Sequence, residues 1–170
     1  MRTLALIGLL AFSFVTGLSR ANALEVGEQA PCVVLNNIAP NGSESEHCIR
    51  QTNVKGQAKI LEFFLSTCSD CAENLPIVSQ LAASVAAVAT TRLVGLDRSE
   101  LALRSFVKDN HQLLNFEVAL DTNREAKKAW DVVETPTTFV LDANNKVLFR
   151  HAGVLSPEDV STIEHLVGAH

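Results

Sequence analysis

Cys68-Ser69-Asp70-Cys71 places two thiols one helical turn apart. At that spacing one sulfur can bond to a partner and the other can displace it. The attacking species must be a thiolate, and a free thiol at neutral pH is mostly protonated. Upstream, Ile60-Leu61-Glu62-Phe63-Phe64-Leu65 is an apolar run that reads as a buried strand interrupted by one acid. Downstream, Ala72 to Ala89 is rich in Ala, Val and Leu and reads as a long helix with Pro76 near its start. Cys68 then falls where strand gives way to helix, beside free backbone N–H groups and the positive end of the helix dipole, which lower a thiol's pKa. The pattern predicts Cys68 as nucleophile and Cys71 as the resolving thiol of a dithiol–disulfide exchange. A structural disulfide and half of a zinc site are the other uses of such a pair. Cys32 and Cys48 are too widely spaced to look like the second half of a zinc site, so no metal is expected.

Glu62 is the only acid of its strand, and its carboxyl group is expected to be buried near the cysteines. A buried acid has a raised pKa and can pass a proton to or from Cys71 during exchange. The alternative is that strand alternation turns Glu62 towards solvent. Asp70 puts negative charge beside Cys68, which opposes the helix dipole and is expected to raise the thiol's pKa. A less stable thiolate makes a more reducing couple, so a reductant or isomerase is expected rather than a strong oxidant. Much further on, Glu134-Thr135-Pro136-Thr137-Thr138-Phe139 sets a proline directly before a β-branched strand.

The elements that must hold these groups can be read in order. Met1-Arg2-Thr3, an apolar run from Leu4 to Leu18, and the small residues of Ala21-Asn22-Ala23 read as a signal peptide over residues 1–23, with an uncleaved N-terminal anchor as the alternative. Residues 24–170 are then long enough for one well-cored domain and short for two. The leader carries Arg2 and Arg20 and no acid, so the exported domain is more acidic than the whole chain's net charge of −5. Bulk electrostatics therefore argue against nucleic acid or an anionic membrane surface as partner.

Leu24 to Ala30 reads as a polar lead-in, and Cys32 to Leu35 as a short strand. Asn36 to Ser45 reads as a turn around Pro40-Asn41-Gly42, and Glu46 to Asn53 as the return. After the thiol segment come a strand at Thr91–Asp97 and a helix from Glu100 to about Asn110 capped by Ser99. Asn115–Leu120 is extended, and a helix capped by Asp121 or Thr122 runs through Trp130. A hairpin over Thr137–Leu141 and Lys146–His151 and a terminal helix opening at Ser156-Pro157 close the chain. Alternating strands and helices imply an α/β class with a mixed central sheet covered by helices on both faces.

In an oxidising compartment Cys32 and Cys48, on the two arms of the predicted hairpin, are expected to form a structural disulfide. The alternative is a second redox pair that trades electrons with Cys68 and Cys71. His47 reads as an exposed turn residue, and His111, His151, His165 and His170 show no ligand spacing. Trp130 reads as packing, and Lys127-Lys128 as a solvated helix face.

From about Ala30 to His165 the chain resembles the TlpA/ResA/CcmG-like branch of the thioredoxin superfamily. The resemblance is carried by Ala30-Pro31, by Ile60 to Phe64 before Cys68-x-x-Cys71, by Asn74-Leu75-Pro76, by Ala119-Leu120-Asp121, and by Glu134 to Asp142. It implies a thioredoxin-like fold with an N-terminal β-hairpin and an inserted helix–strand segment over Ser99–Leu120. It also implies an exported or membrane-tethered thiol-disulfide oxidoreductase, periplasmic or otherwise extracytoplasmic, acting on protein thiols and disulfides. Many members of the branch reduce apocytochrome c with electrons from a membrane protein. By the same resemblance Thr135-Pro136 is a cis-proline loop that offers backbone to a substrate peptide, and Glu62 matches the buried acid of thioredoxin. Thr67 replaces the tryptophan usual before the first cysteine, and Asn74 stands where cytochrome-maturation members often carry a glutamate. No cofactor is expected, and a monomer is. The competing class is a copper-handling module using the paired thiolates, against which stands the lack of any methionine beyond Met1. A peroxidase fits the cysteine spacing poorly.

Overall fold

The computed structural model describes residues 24–51 and 56–169; the leader expected over residues 1–23 lies outside the described residues. The strands are β1 (Val34–Ile38), β2 (Glu44–Cys48), β3 (Ala58–Phe64), β4 (Ala89–Gly95), β5 (Glu117–Leu120), β6 (Thr137–Leu141) and β7 (Val147–Ala152). The helices are α1 (Ser69–Ser84), α2 (Glu100–Asp109), α3 (Glu125–Ala129) and α4 (Pro157–Val167). Among the described residues all seven strands join one sheet in the order β2-β1-β5-β4-β3-β6-β7. Pairings β3–β4 and β4–β5 are parallel and the rest antiparallel, so the sheet is mixed as expected. No helix among the described residues is long and apolar enough to cross a membrane.

Side chains alternate across β3 and divide the interior in two. Ile60 and Phe64 join a core with Leu75, Val78 and Leu81 of α1, Leu103 of α2 and Ile163 of α4. Leu61 and Phe63 face the other way, into a core with Val94, Phe139, Trp130, Ile49 and Ala126 of α3. Glu62 falls on the α1 side, between Ile60 and Phe64. Gly95 ends β4 under α2, where a Cβ would lie 2.3 Å from Leu103 Cδ2, so only glycine allows that helix to sit so close.

Several element boundaries move for physical reasons. Helix α1 begins at Ser69 rather than Ala72 because Cys68 itself is the N-cap, and it ends at Ser84 because Ala89 is taken into β4 opposite Ala58. The hairpin turn is shorter than the polar run suggested, because Asn36 to Ile38 pair on their second side with Leu120 to Val118 of β5. Helix α3 starts at Glu125 behind Arg124, which has a left-handed backbone and no capping side chain. Buried Asp121 does the capping from further back, accepting from the N–H groups of Ala126 and Lys127 at 3.1 and 2.8 Å. The lead-in is more than polar: Leu24 and Ala30 are core residues, and Gly27 and Glu28 hydrogen-bond the backbone of Val147. The expected starts of α2 at Ser99 and of α4 at Ser156 hold, the latter as a full capping box with Asp159.

Candidate active site

Cys68 stands just past the carboxyl end of β3, where the chain enters α1. As N-cap, its Sγ accepts the backbone N–H of Cys71 at 3.2 Å, so the sulfur occupies the place a serine or aspartate oxygen usually takes. The loop before it is held from the segment just past β4: Ser66 donates its backbone N–H and its hydroxyl to the Asp97 carboxylate, at 2.9 and 2.6 Å. The Cys68 Sγ also lies 3.5 Å from the carbonyl oxygen of Thr135, to which its thiol donates.

The two sulfurs have opposite environments. Both are free thiols, with Cys68 half-buried and Cys71 buried. Burial raises the Cys68 pKa, but hydrogen bonds from the Cys71 thiol and backbone N–H, with a smaller contribution from Thr135, outweigh it and carry the pKa below its ordinary value. Asp70 acts in the expected upward direction and is too weak to reverse this, so the sequence-based expectation of a net rise is corrected. Burial and the hydrogen bond with Cys68 push Cys71 up to about 12. A sulfur that ionises readily at the surface sits beside one that keeps its proton in the interior.

Glu62 is buried at 1% exposure, on the core side rather than the solvated side of its strand. Burial raises its carboxyl to about 8, against an opposing hydrogen bond from Asn74, and negative charge on Cys68 adds to the rise. Asn74 donates to Glu62 Oε2 at 2.8 Å. The Thr135–Pro136 bond is cis, and Thr137 Oγ1 donates to the Glu134 carbonyl at 2.8 Å, closing that loop against the thiols. Cys68, Cys71, Glu62, Thr135 and Pro136 therefore converge on one end of the sheet. Asp97 is a site residue that the sequence does not point to beyond an acid at the end of an apolar stretch, whereas Asn74 stands out there only as a departure from the glutamate of related chains.

Cys32 and Cys48 are bonded to each other and lie apart from this group. Four strand spacings separate β2 from β3, roughly 19 Å at about 4.8 Å each, too far for direct exchange with Cys68. Behind the disulfide, buried Arg92 donates to the carbonyls of Cys48, Ile49 and Gln51 and pairs with Glu117. His47 is a half-buried strand residue contacting Arg92 and Glu117, not an exposed turn histidine. Among the described residues, no three His, Cys, Asp or Glu side chains converge as a metal site.

Residues 25–167 match the Redoxin family. The chain is 30% identical over 172 residues to the thiol:disulfide interchange protein DsbE of Xylella fastidiosa, covering 97% of this chain and 80% of that protein. It is 27% identical over 160 residues to the thiol-disulfide oxidoreductase ResA of Bacillus cereus, covering 92% and 87%. A crystal structure from Chlorobium tepidum, assigned as a thiol:disulfide interchange protein DsbE, superposes with a TM-score of 0.69 at 27% identity, covering 86% of this chain and 98% of that one.

Proposed function

Because the chain belongs to the Redoxin family and is a thiol-disulfide oxidoreductase of the ResA/DsbE type, we propose that it is an exported monomer that reduces disulfides in partner proteins through Cys68 and Cys71. The observation that carries this reading is the split between the two thiols: Cys68 at the surface accepting the Cys71 N–H, Cys71 protonated beneath it. The Cys68 thiolate attacks a substrate disulfide, forming a mixed disulfide and expelling one substrate thiolate. Cys71 then gives its proton to the ionised Glu62 carboxylate and attacks Cys68 Sγ. The Cys68–Cys71 bond forms, the second substrate thiolate leaves, and two electrons have passed to the substrate.

The cis Thr135–Pro136 loop borders Cys68, and the Thr135 backbone would take the substrate chain. Reduction then needs an electron donor outside the chain, and a membrane-borne dithiol protein suits residues 1–23 as a signal peptide and a periplasmic or other extracytoplasmic location. Service to cytochrome c maturation is one such role, and the disulfide between Cys32 and Cys48 is structural in this scheme.

Trapping tests the proposal. A Cys71→Ser variant should accumulate mixed disulfides with exported proteins, seen as adducts that a reductant releases, while a Cys68→Ser variant should accumulate none. Equal trapping by both, or by neither, refutes it.

A further inference from the structure

The side chain of Asn74 joins three parts of the molecule that meet at the thiols. It lies on α1 one turn beyond Cys71 and is wholly buried. Its Nδ2 donates to Glu62 Oε2 of β3 at 2.8 Å, and its Oδ1 accepts the backbone N–H of Leu155 at 2.8 Å. Leu155 belongs to the turn between β7 and α4. That same turn donates the Gly153 N–H to the Pro136 carbonyl at 2.8 Å, and so braces the proline loop as well. A primary amide presents a donor and an acceptor on one rigid plane, as this bridge requires. A carboxylate at position 74 would oppose Glu62, and an alanine would strand both the Leu155 N–H and a carboxyl oxygen in a dry interior.

We propose that Asn74 is a positioning residue for the resolving step, holding the Glu62 carboxyl in register with the backbone turn that also braces the proline loop. This rests on the reading above in which Glu62 accepts the Cys71 proton. The amide N–H stabilises the ionised carboxylate, so it keeps Glu62 able to accept a proton where burial alone would leave it protonated. Without that donor, the fraction of Glu62 able to receive the proton falls at neutral pH, and Cys71 attacks Cys68 more slowly.

Resolution can be timed directly. When the reduced protein meets an aromatic disulfide such as 5,5′-dithiobis(2-nitrobenzoate), release of the second thionitrobenzoate reports Cys71 attack on Cys68. In Asn74→Ala this second phase should slow about tenfold at pH 7, and its pH midpoint should rise by about one unit, with the first phase nearly unchanged. Asn74→Ser, which disturbs packing less, should shift the midpoint the same way if the alanine variant does not fold. In a Glu62→Gln background the Asn74 substitution should have no further effect on the profile. An unmoved midpoint in a folded Asn74 variant, or an equal shift without Glu62, overturns the inference. If Glu62→Gln alone leaves the profile of the second phase unchanged, the proton-relay reading itself fails, which is a separate result.

Discussion

Iodoacetamide should distinguish the two active-site thiols at once. Cys68 is half-exposed with its pKa drawn down, so it should label at neutral pH, whereas Cys71, held near 12, should stay unmodified below about pH 10. Mass mapping of the reduced protein checks this, and labelling of Cys71 first would reverse the assigned roles. Glu62 makes a second prediction, about stability. Its carboxyl titrates near 8 in the folded chain against an ordinary 4.5, so the folded state keeps a proton that the unfolded chain has lost between those values. The stabilisation is therefore full below the lower value and declines as pH rises towards the higher one, by on the order of 4 kcal/mol. Urea unfolding at pH 5 and pH 8.5 should show that decline in the reduced protein, and Glu62→Gln should flatten it.

At the scale of elements, the β1–β2 hairpin is tied down twice, by the disulfide and by Arg92. The bridge closes a loop over a sequence separation of 16, for which about 3 kcal/mol of stabilisation is expected. Replacing both Cys32 and Cys48 by serine should lower unfolding stability by about that amount, with insulin-disulfide reduction kept within about twofold because the pair lies some four strands from Cys68. A collapse of activity with stability retained would point instead to a second redox pair. Arg92 explains why the chain after Cys48 can cross a buried sheet face at all. Its guanidinium donates to the Ile49 and Gln51 carbonyls and adds a second donor to the Cys48 carbonyl, which also accepts the Gln51 N–H.

For the molecule as a whole, the sheet separates the face that carries α1 and Glu62, where Phe64 packs on Phe106, from the face built around Trp130. Trp130 is fully buried, with its ring centroid 5.4 Å from that of Phe63 and 5.1 Å from that of Phe139. Since Trp130 is the only tryptophan of the chain, its fluorescence should report global unfolding, with a transition coincident with that of far-UV circular dichroism. Trp130→Ala should cost about 3–5 kcal/mol through the cavity it leaves. A separate early fluorescence transition would show that the α3 side unfolds independently of the active-site side.

Much of this was legible locally. The Cys68–Cys71 spacing, the apolar run of β3, the Ser99 and Ser156 caps and the proline before β6 depend on neighbours a few residues away, so residue type and period suffice to place them. A burial argument also sufficed for Glu62, since an acid within the otherwise apolar run Ile60 to Leu65 has few other places to go. Ends of elements were less legible, because Ala89 and Asn36 are claimed by strands distant in sequence rather than by their own propensities. Partners of buried polar groups could not be read at all. Asn74 meets Glu62 and Leu155, Asp97 meets Ser66, and Arg92 meets Cys48 and Glu117 across long stretches of chain. The sequence determined which groups could react and in what order they occur. Only the packed sheet decided which donor faces which acceptor, because in a dry interior that choice depends on distances of about 3 Å that no local pattern records.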